Sequence, residues 1–218
     1  MTDQPLDVRA QNFIPIAAFT ASGELDKLKP ALNKALDTGL TINEIKEVLT
    51  QLYAYAGFPR SLNALFSFMA VIKERQDQGI EDVEGREASP VAKDLDKDEY
   101  GAKVRARLAG LDTVPPPAEW MMFAPLVDRF LKEHLFADIF ARDLLSSQDR
   151  ELVTIAALAN MTGTADQLQF HLGAAMNTGL SKAQLEDFIL VFAARVDPKK
   201  SVKAADLLTT VLQQRDAL

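Results

Sequence analysis

The sequence predicts an all-α protein built from two tandem copies of one helical unit. Apolar residues recur at helical spacing along nearly the whole chain, and no stretch alternates with the period of two that a half-buried strand requires. Residues 23–40 and 163–180 are identical at eight of eighteen positions, where average composition gives roughly one or two by chance. The turns repeat one grammar: Thr41-Ile-Asn-Glu44, Thr164-Ala-Asp-Gln167 and Ser181-Lys-Ala-Gln184 each fit a capping box, in which a hydroxyl and a carboxylate or amide cover the first free N–H groups of a helix.

Each element follows from these signals. In the first copy a helix over 12–20 precedes Gly23, and a second ends at Gly39, where glycine adopts a left-handed conformation without steric cost. The Thr41 box then starts a helix over 43–56 that runs out at Gly57, and Pro59 suits the first turn of another reaching about residue 75. Residues 77–98 are acidic, poor in aromatics and broken by Gly and Pro, which reads as a solvated linker. A short helix over 100–108 follows, then a break at the Pro-rich stretch 114–120, then one longer helix over 123–141. In the second copy Ser146-Ser-Gln-Asp149 caps a helix to about residue 160, Gly163 breaks it, a helix carrying His171 ends at Gly179, and the Ser181 box starts the next. The boundaries are a first repeat over 1–76, an acidic and Pro-rich linker with a short helix over 77–120, and a second repeat over 121–218. Neither copy closes a core alone, so the halves are expected to pack as a pseudo-twofold pair.

Composition narrows the function. With 218 residues, 48% of them hydrophobic, the chain buries a substantial core. A net charge of −7 and no basic stretch argue against a nucleic-acid partner. The first ten residues lack a basic region followed by an apolar one, and nowhere do 18 uncharged apolar residues run together, so neither export nor a membrane span is expected and the cytosol is the default. The chain contains no cysteine, which removes disulfides, thiolate ligands, thiol peroxidase chemistry and cysteine nucleophiles together. Its two histidines, His134 and His171, have no metal-ligand spacing, and no phosphate-binding glycine loop or serine nucleophile motif is present, so no metal and no cofactor is expected.

Residues 150–181, RELVTIAALANMTGTADQLQFHLGAAMNTGLS, resemble the core pattern of the carboxymuconolactone decarboxylase family, which also holds the AhpD-type alkyl hydroperoxidases: an Arg-Glu-Leu helix, a turn, a helix carrying His, then Gly-Leu-[Thr/Ser]. Residues 43–65 resemble the segment that follows it, with its Tyr-x-Gly-x-Pro, and LFADIFARDLLSSQDREL resembles its lead-in. The resemblance implies an AhpD-like helical bundle with the two repeats packed as a pseudo-dimer. It also implies assembly as a homo-oligomer, a trimer of two-repeat chains or dimers of these. Family members named for the decarboxylase remove CO₂ from a carboxylated muconolactone without a cofactor. The peroxidase branch uses a Cys-x-x-Cys ahead of the His, and the corresponding positions here, about Thr164 and Gln167, exclude that chemistry.

The candidate catalytic pair is His171 and Glu151. His171 falls within the stripe Leu168, Leu172, Ala175 and Met176, so its ring is expected to face the interior or a cleft, as a general acid–base or as a core histidine satisfied by one hydrogen bond. Glu151 lies twenty residues earlier, matches the family's Glu to within a residue, and shares a face with Ile155 and Leu158; a carboxylate there also meets the helix dipole favourably. The first copy carries Gln11 and Ala31 at the equivalent positions and is read as degenerate. Arg150 and Arg60 are candidates for holding a substrate carboxylate, with surface ion pairing the alternative. Tyr55 and Trp120 are candidate pocket walls or packing contacts, and His134 is either a helix-face residue or a second imidazole of the cleft. The resulting expectation is a cofactor-free carboxy-lyase acting on a small carboxylated lactone or enolisable acid. A non-catalytic oligomeric binding module of the same fold, and a cofactor-free isomerase or hydratase, are the alternatives.

Overall fold

The computed structural model describes residues 4–217. Among these the protein has no strand; eleven α-helices and one π-helix account for its regular structure. The first unit is α1 (Val8–Ser22), α2 (Leu25–Asp37), α3 (Ile42–Ala56) and α4 (Phe58–Asp77), and the last four helices, α8 (Ser147–Asn160), α9 (Ala165–Asn177), α10 (Lys182–Arg195) and α11 (Pro198–Asp216), repeat it. Between them lie α5 (Lys97–Leu108), α6 (Glu119–Phe123), α7 (Pro125–Phe130) and the π-helix Leu131–Ile139. No helix of the described residues is long and apolar enough to cross a membrane.

The centre of the bundle is the pair α1 and α8, equivalent helices of the two copies packed on each other. Both are buried on every side over most of their length, Asn12 through Ala21 in α1 and Arg150 through Asn160 in α8, which is why neither sequence shows a polar stripe. Around this pair the contacts exchange as a twofold axis requires: α3 of the first copy packs on α8 of the second, and α10 of the second on α1 of the first. Hydrogen bonds stitch the halves together. Asn160 Nδ2 donates to the Ala18 carbonyl at 2.9 Å, and Arg195 Nη2 donates to Asn12 Oδ1 at 2.7 Å. The two repeats therefore share one core.

Local signals decide most helix starts. The Thr41, Ser146 and Ser181 boxes all form, each hydroxyl accepting from the backbone N–H three residues on. The Thr164 box does not form. Its backbone sits at φ −114°, ψ 25°, away from the extended conformation of a capping residue, and its hydroxyl donates to the Leu158 carbonyl at 2.8 Å instead. The single long helix expected over 123–141 is also corrected. Pro125 has no N–H to donate to the preceding turn, so the chain leaves the helix at Ala124 and restarts with proline in its first turn. Beyond Phe130 the ladder widens to i→i+5, as in the bond from Phe140 N to the Leu135 carbonyl at 3.2 Å.

The stretch read as a linker is largely exposed but tied down. The Val83 and Glu84 carbonyls accept from Ile42 N and Asn43 N, both at 2.9 Å, covering the free N–H groups that open α3. Helix α5 then packs on the π-helix through Val104, Leu108, Leu135, Phe136 and Ile139, a second and smaller core. Gly101 permits that approach, since a Cβ there would sit 2.0 Å from the Lys132 carbonyl oxygen. Replacing a helical glycine by alanine ordinarily gains about 1 kcal/mol. Here the backbone clash reverses the sign, and Gly101→Ala is expected to lower stability by about 1–3 kcal/mol. A thermal midpoint equal to or above that of the parent protein would show that the two helices separate without cost.

Candidate active site

The Ser146 box sets the register of α8 so that Glu151, in its second turn, points into the bundle, where its side chain is wholly buried. Helix α9 packs on α8 through the Leu168–Leu172–Ala175 face, and His171 lies on that same face, 8% exposed. The two side chains meet: His171 Nδ1 is 2.7 Å from Glu151 Oε2. Glu151 Oε1 is buried without a hydrogen-bond partner. A buried carboxylate oxygen left unpaired is disfavoured on stability grounds alone. The carboxylate selects the tautomer with hydrogen on Nδ1, and among the described residues Nε2 has no hydrogen-bond partner.

Aromatic edges confine the imidazole. Tyr55 of α3 approaches it edge-on with ring centroids 6.0 Å apart, and Phe170 does so at 5.2 Å. The first copy thus walls the pair carried by the second. The Tyr55 hydroxyl is buried near the Thr154 hydroxyl, yet no partner among the described residues meets it with good hydrogen-bond geometry. Burial first, and then the Glu151 charge, push its phenol well above the ordinary tyrosine range, with the Thr154 hydroxyl and the Arg150 charge acting in the opposite sense. Tyr55 is therefore a neutral donor throughout the physiological range. Tyr55→Phe is expected to leave folding stability unchanged or to raise it by about 1 kcal/mol, because it deletes an unsatisfied polar atom. A fall in the thermal midpoint would assign that hydroxyl a structural partner.

On the open side of His171 is a cavity of about 490 Å³. Its walls are mainly apolar, with Leu111, Trp120, Met121, Leu131, Phe136 and Phe170 prominent. Its polar lining consists of Arg105, Asp166, Gln167 and His171. Trp120 was legible in the sequence as a candidate pocket wall; Gln167 was noted only at a position that rules out a peroxidatic cysteine. Arg105, Phe136 and Phe170 were not legible, since no spacing links them to His171.

The remaining candidates lie elsewhere. Arg150 is 1% exposed and ties the copies together: Nη2 donates to Glu47 Oε1 at 2.8 Å and Nη1 to Gln51 Oε1 at 3.0 Å, while Nη2 also donates to the Arg142 carbonyl of its own copy at 2.7 Å. Gln51 returns a bond to the Arg150 carbonyl at 2.9 Å. Burial acts to raise the Glu47 carboxyl, but its bonds to Arg142 and Arg150 outweigh this and hold it below the usual carboxylate range. Arg60 is exposed and donates to the Ala21 carbonyl, away from the cavity lining. His134 is on the π-helix, half exposed, with Nδ1 2.9 Å from Asp138 Oδ2 and its ring beside Tyr53. Neither residue is brought to His171.

The pseudo-twofold axis maps Glu151, His171 and Tyr55 onto Gln11, Ala31 and Arg195. There Gln11 Nε2 donates to the Leu6 carbonyl at 3.1 Å and to Asp187 Oδ2 at 3.3 Å, while Arg195 bonds Asn12 and the Gln11 carbonyl. The equivalent position is closed by structural hydrogen bonds. Among the described residues no three His, Asp or Glu side chains group as a metal site.

The model of the carboxymuconolactone decarboxylase family matches residues 1–68 and 125–209. No curated protein matches the chain. The stretch between the matched segments, residues 69–124, contains α5 and α6 and much of the cavity wall.

Proposed function

The chain belongs to the carboxymuconolactone decarboxylase family, and from that premise we propose that it is a cofactor-free carboxy-lyase acting on a small carboxylated lactone or related enolisable acid. The observation that carries this reading is the 2.7 Å contact of His171 with a fully buried Glu151, beside a mainly apolar cavity that His171 itself lines.

The chemistry follows from that arrangement. An arginine holds the carboxylate that is retained. The bond to the departing carboxylate breaks heterolytically, CO₂ leaves, and the electron pair passes into the adjacent unsaturated system as a dienolate. Low-polarity walls strengthen every interaction with that charge. The His171 imidazolium, stabilised through Nδ1 by Glu151, delivers its Nε2 proton to the substrate carbon and is reprotonated from water, so each turnover consumes one proton. Tyr55 is not among the residues that line the cavity; its ring edge against His171 makes it a packing residue that holds the imidazole in place.

The same reading carries a homo-oligomer, supported by apolar side chains left in solvent, among them Phe58, Phe66 and Met69 on α4 and Phe123 on α6. Carboxymuconolactone and related lactones incubated with the purified protein in deuterated buffer, followed by NMR and CO₂ trapping, test the activity. Release of CO₂ with deuterium in the product is expected. Solvent exchange without CO₂ would make the protein an isomerase or hydratase, and neither event with any of these acids would leave a binding module.

A further inference from the structure

The chain between the two family-matched segments builds most of the cavity beside His171. Seven of its thirteen lining residues fall within residues 105–121, outside the family match. We infer that this stretch sets substrate selectivity: it fits the cavity to a cyclic or aromatic carboxylic acid, whose retained carboxylate is anchored by Arg105 and whose ring lies against Trp120 and Met121. The inference rests on the reading of the His171 cavity as the substrate site.

Arg105 is the one Lys or Arg among the lining residues. Its side chain lines the cavity and is 18% exposed, so it is largely withdrawn from bulk water. Nη1 pairs with Asp128, but Asp128 is shared with Lys132 at 3.4 Å, and among the described residues the only hydrogen-bond partner of Arg105 Nη2 is the Met121 thioether at 3.5 Å. A thioether is a weak acceptor. The guanidinium therefore keeps strong donor capacity directed to a planar anion, for which its fork geometry is suited. Asp166 also lines the cavity but is exposed in the first turn of α9, where water screens it. The walls favour a ring: Trp120, Phe136 and Phe170 offer flat apolar surface, and a volume of about 490 Å³ suits a small ligand. A further charged group would be buried without a partner. A carboxylate placed near His171 is therefore the poorly solvated one, the group whose departure the apolar walls favour.

The chain contains a single tryptophan, so its emission reports the cavity directly. Benzoate and phenylacetate serve as probes, with benzamide and phenylacetamide as uncharged controls. Saturable change in Trp120 emission is expected with the acids, with Kd rising roughly 10- to 100-fold in Arg105→Gln and the weak amide response unchanged. Because Arg105→Gln orphans Asp128, the double variant Arg105→Gln/Asp128→Asn is measured beside it, and the same loss is expected. Equal acid affinity in the parent and either folded variant overturns the inference, as does the absence of any saturable response to the acids. Arg105-dependent binding in a protein that releases no CO₂ would sustain this inference while removing the proposed activity. Lactone turnover with kcat and KM unchanged in Arg105→Gln would do the reverse.

Discussion

His171→Gln is expected to lower lactone decarboxylation by about 10²- to 10⁴-fold, the range that a positioned general acid contributes, with the loss falling on kcat. Glutamine preserves the test of fold. Its amide N–H can donate to Glu151 Oε2 as the imidazole Nδ1 does, and its volume suits the space between Tyr55 and Phe170. What it lacks is a transferable proton facing the cavity. Glu151→Gln tests the second half of the arrangement. That amide can hold the ring but offers no charge to stabilise the imidazolium, so kcat falls with little change in KM, and Glu151→Asp recovers part of the activity. Turnover within a few-fold of the parent in His171→Gln would remove the acid–base role altogether.

Glu47→Gln is expected to cost about 3–5 kcal/mol of folding stability, the penalty for breaking a buried ion pair by deleting one partner. For a chain of this size that is a fall of about 10 °C in the thermal midpoint. The cause is Arg150, which is 1% exposed and whose guanidinium would be left with neutral acceptors alone, Gln51 and the Arg142 carbonyl among them, and no counter-charge. Because Glu47 belongs to α3 and Arg150 to α8, the loss loosens the joint between copies one residue from Glu151, and activity falls with stability. The pair also predicts acid sensitivity. A carboxyl held below its ordinary value contributes stability that is complete above the unfolded-state value of about 4.5 and is lost as pH falls through the lower folded-state value. The parent protein should therefore lose this increment on acidification below about pH 4.5, whereas Glu47→Gln has none to lose. Parallel acid-denaturation curves for the two would show that Glu47 carries no such linkage.

The site was legible in the sequence where its parts lie close along the chain. Glu151 and His171 sit on consecutive helices joined by one turn, so the spacing of apolar residues on each helix is enough to point both side chains toward the same interface. Arg150 was misleading for the same reason. Its position beside Glu151 suggests a shared site, but its side chain leaves α8 in another direction and meets Glu47 and Gln51, about a hundred residues earlier. Arg105 gave no signal, because its helix is brought to the cavity by packing on the π-helix. Arg60 and His134 carry suitable chemistry, yet their helices face other neighbours.

By itself the sequence determined the helical fold, the duplication, three of the four capping boxes proposed and the glycine-ended helices, because each depends on dihedral preferences and hydrogen bonds within a few residues. The break at Ala124 was missed, since one helix was expected over 123–141, and the widening that follows it had no local cause. Tertiary structure alone decided which copy walls the His171 pair, where Arg150 spends its charge, and which cation reaches the cavity. Those outcomes depend on side chains far apart in the chain meeting in a low-dielectric interior, where a charge must find a partner whatever its neighbours in sequence.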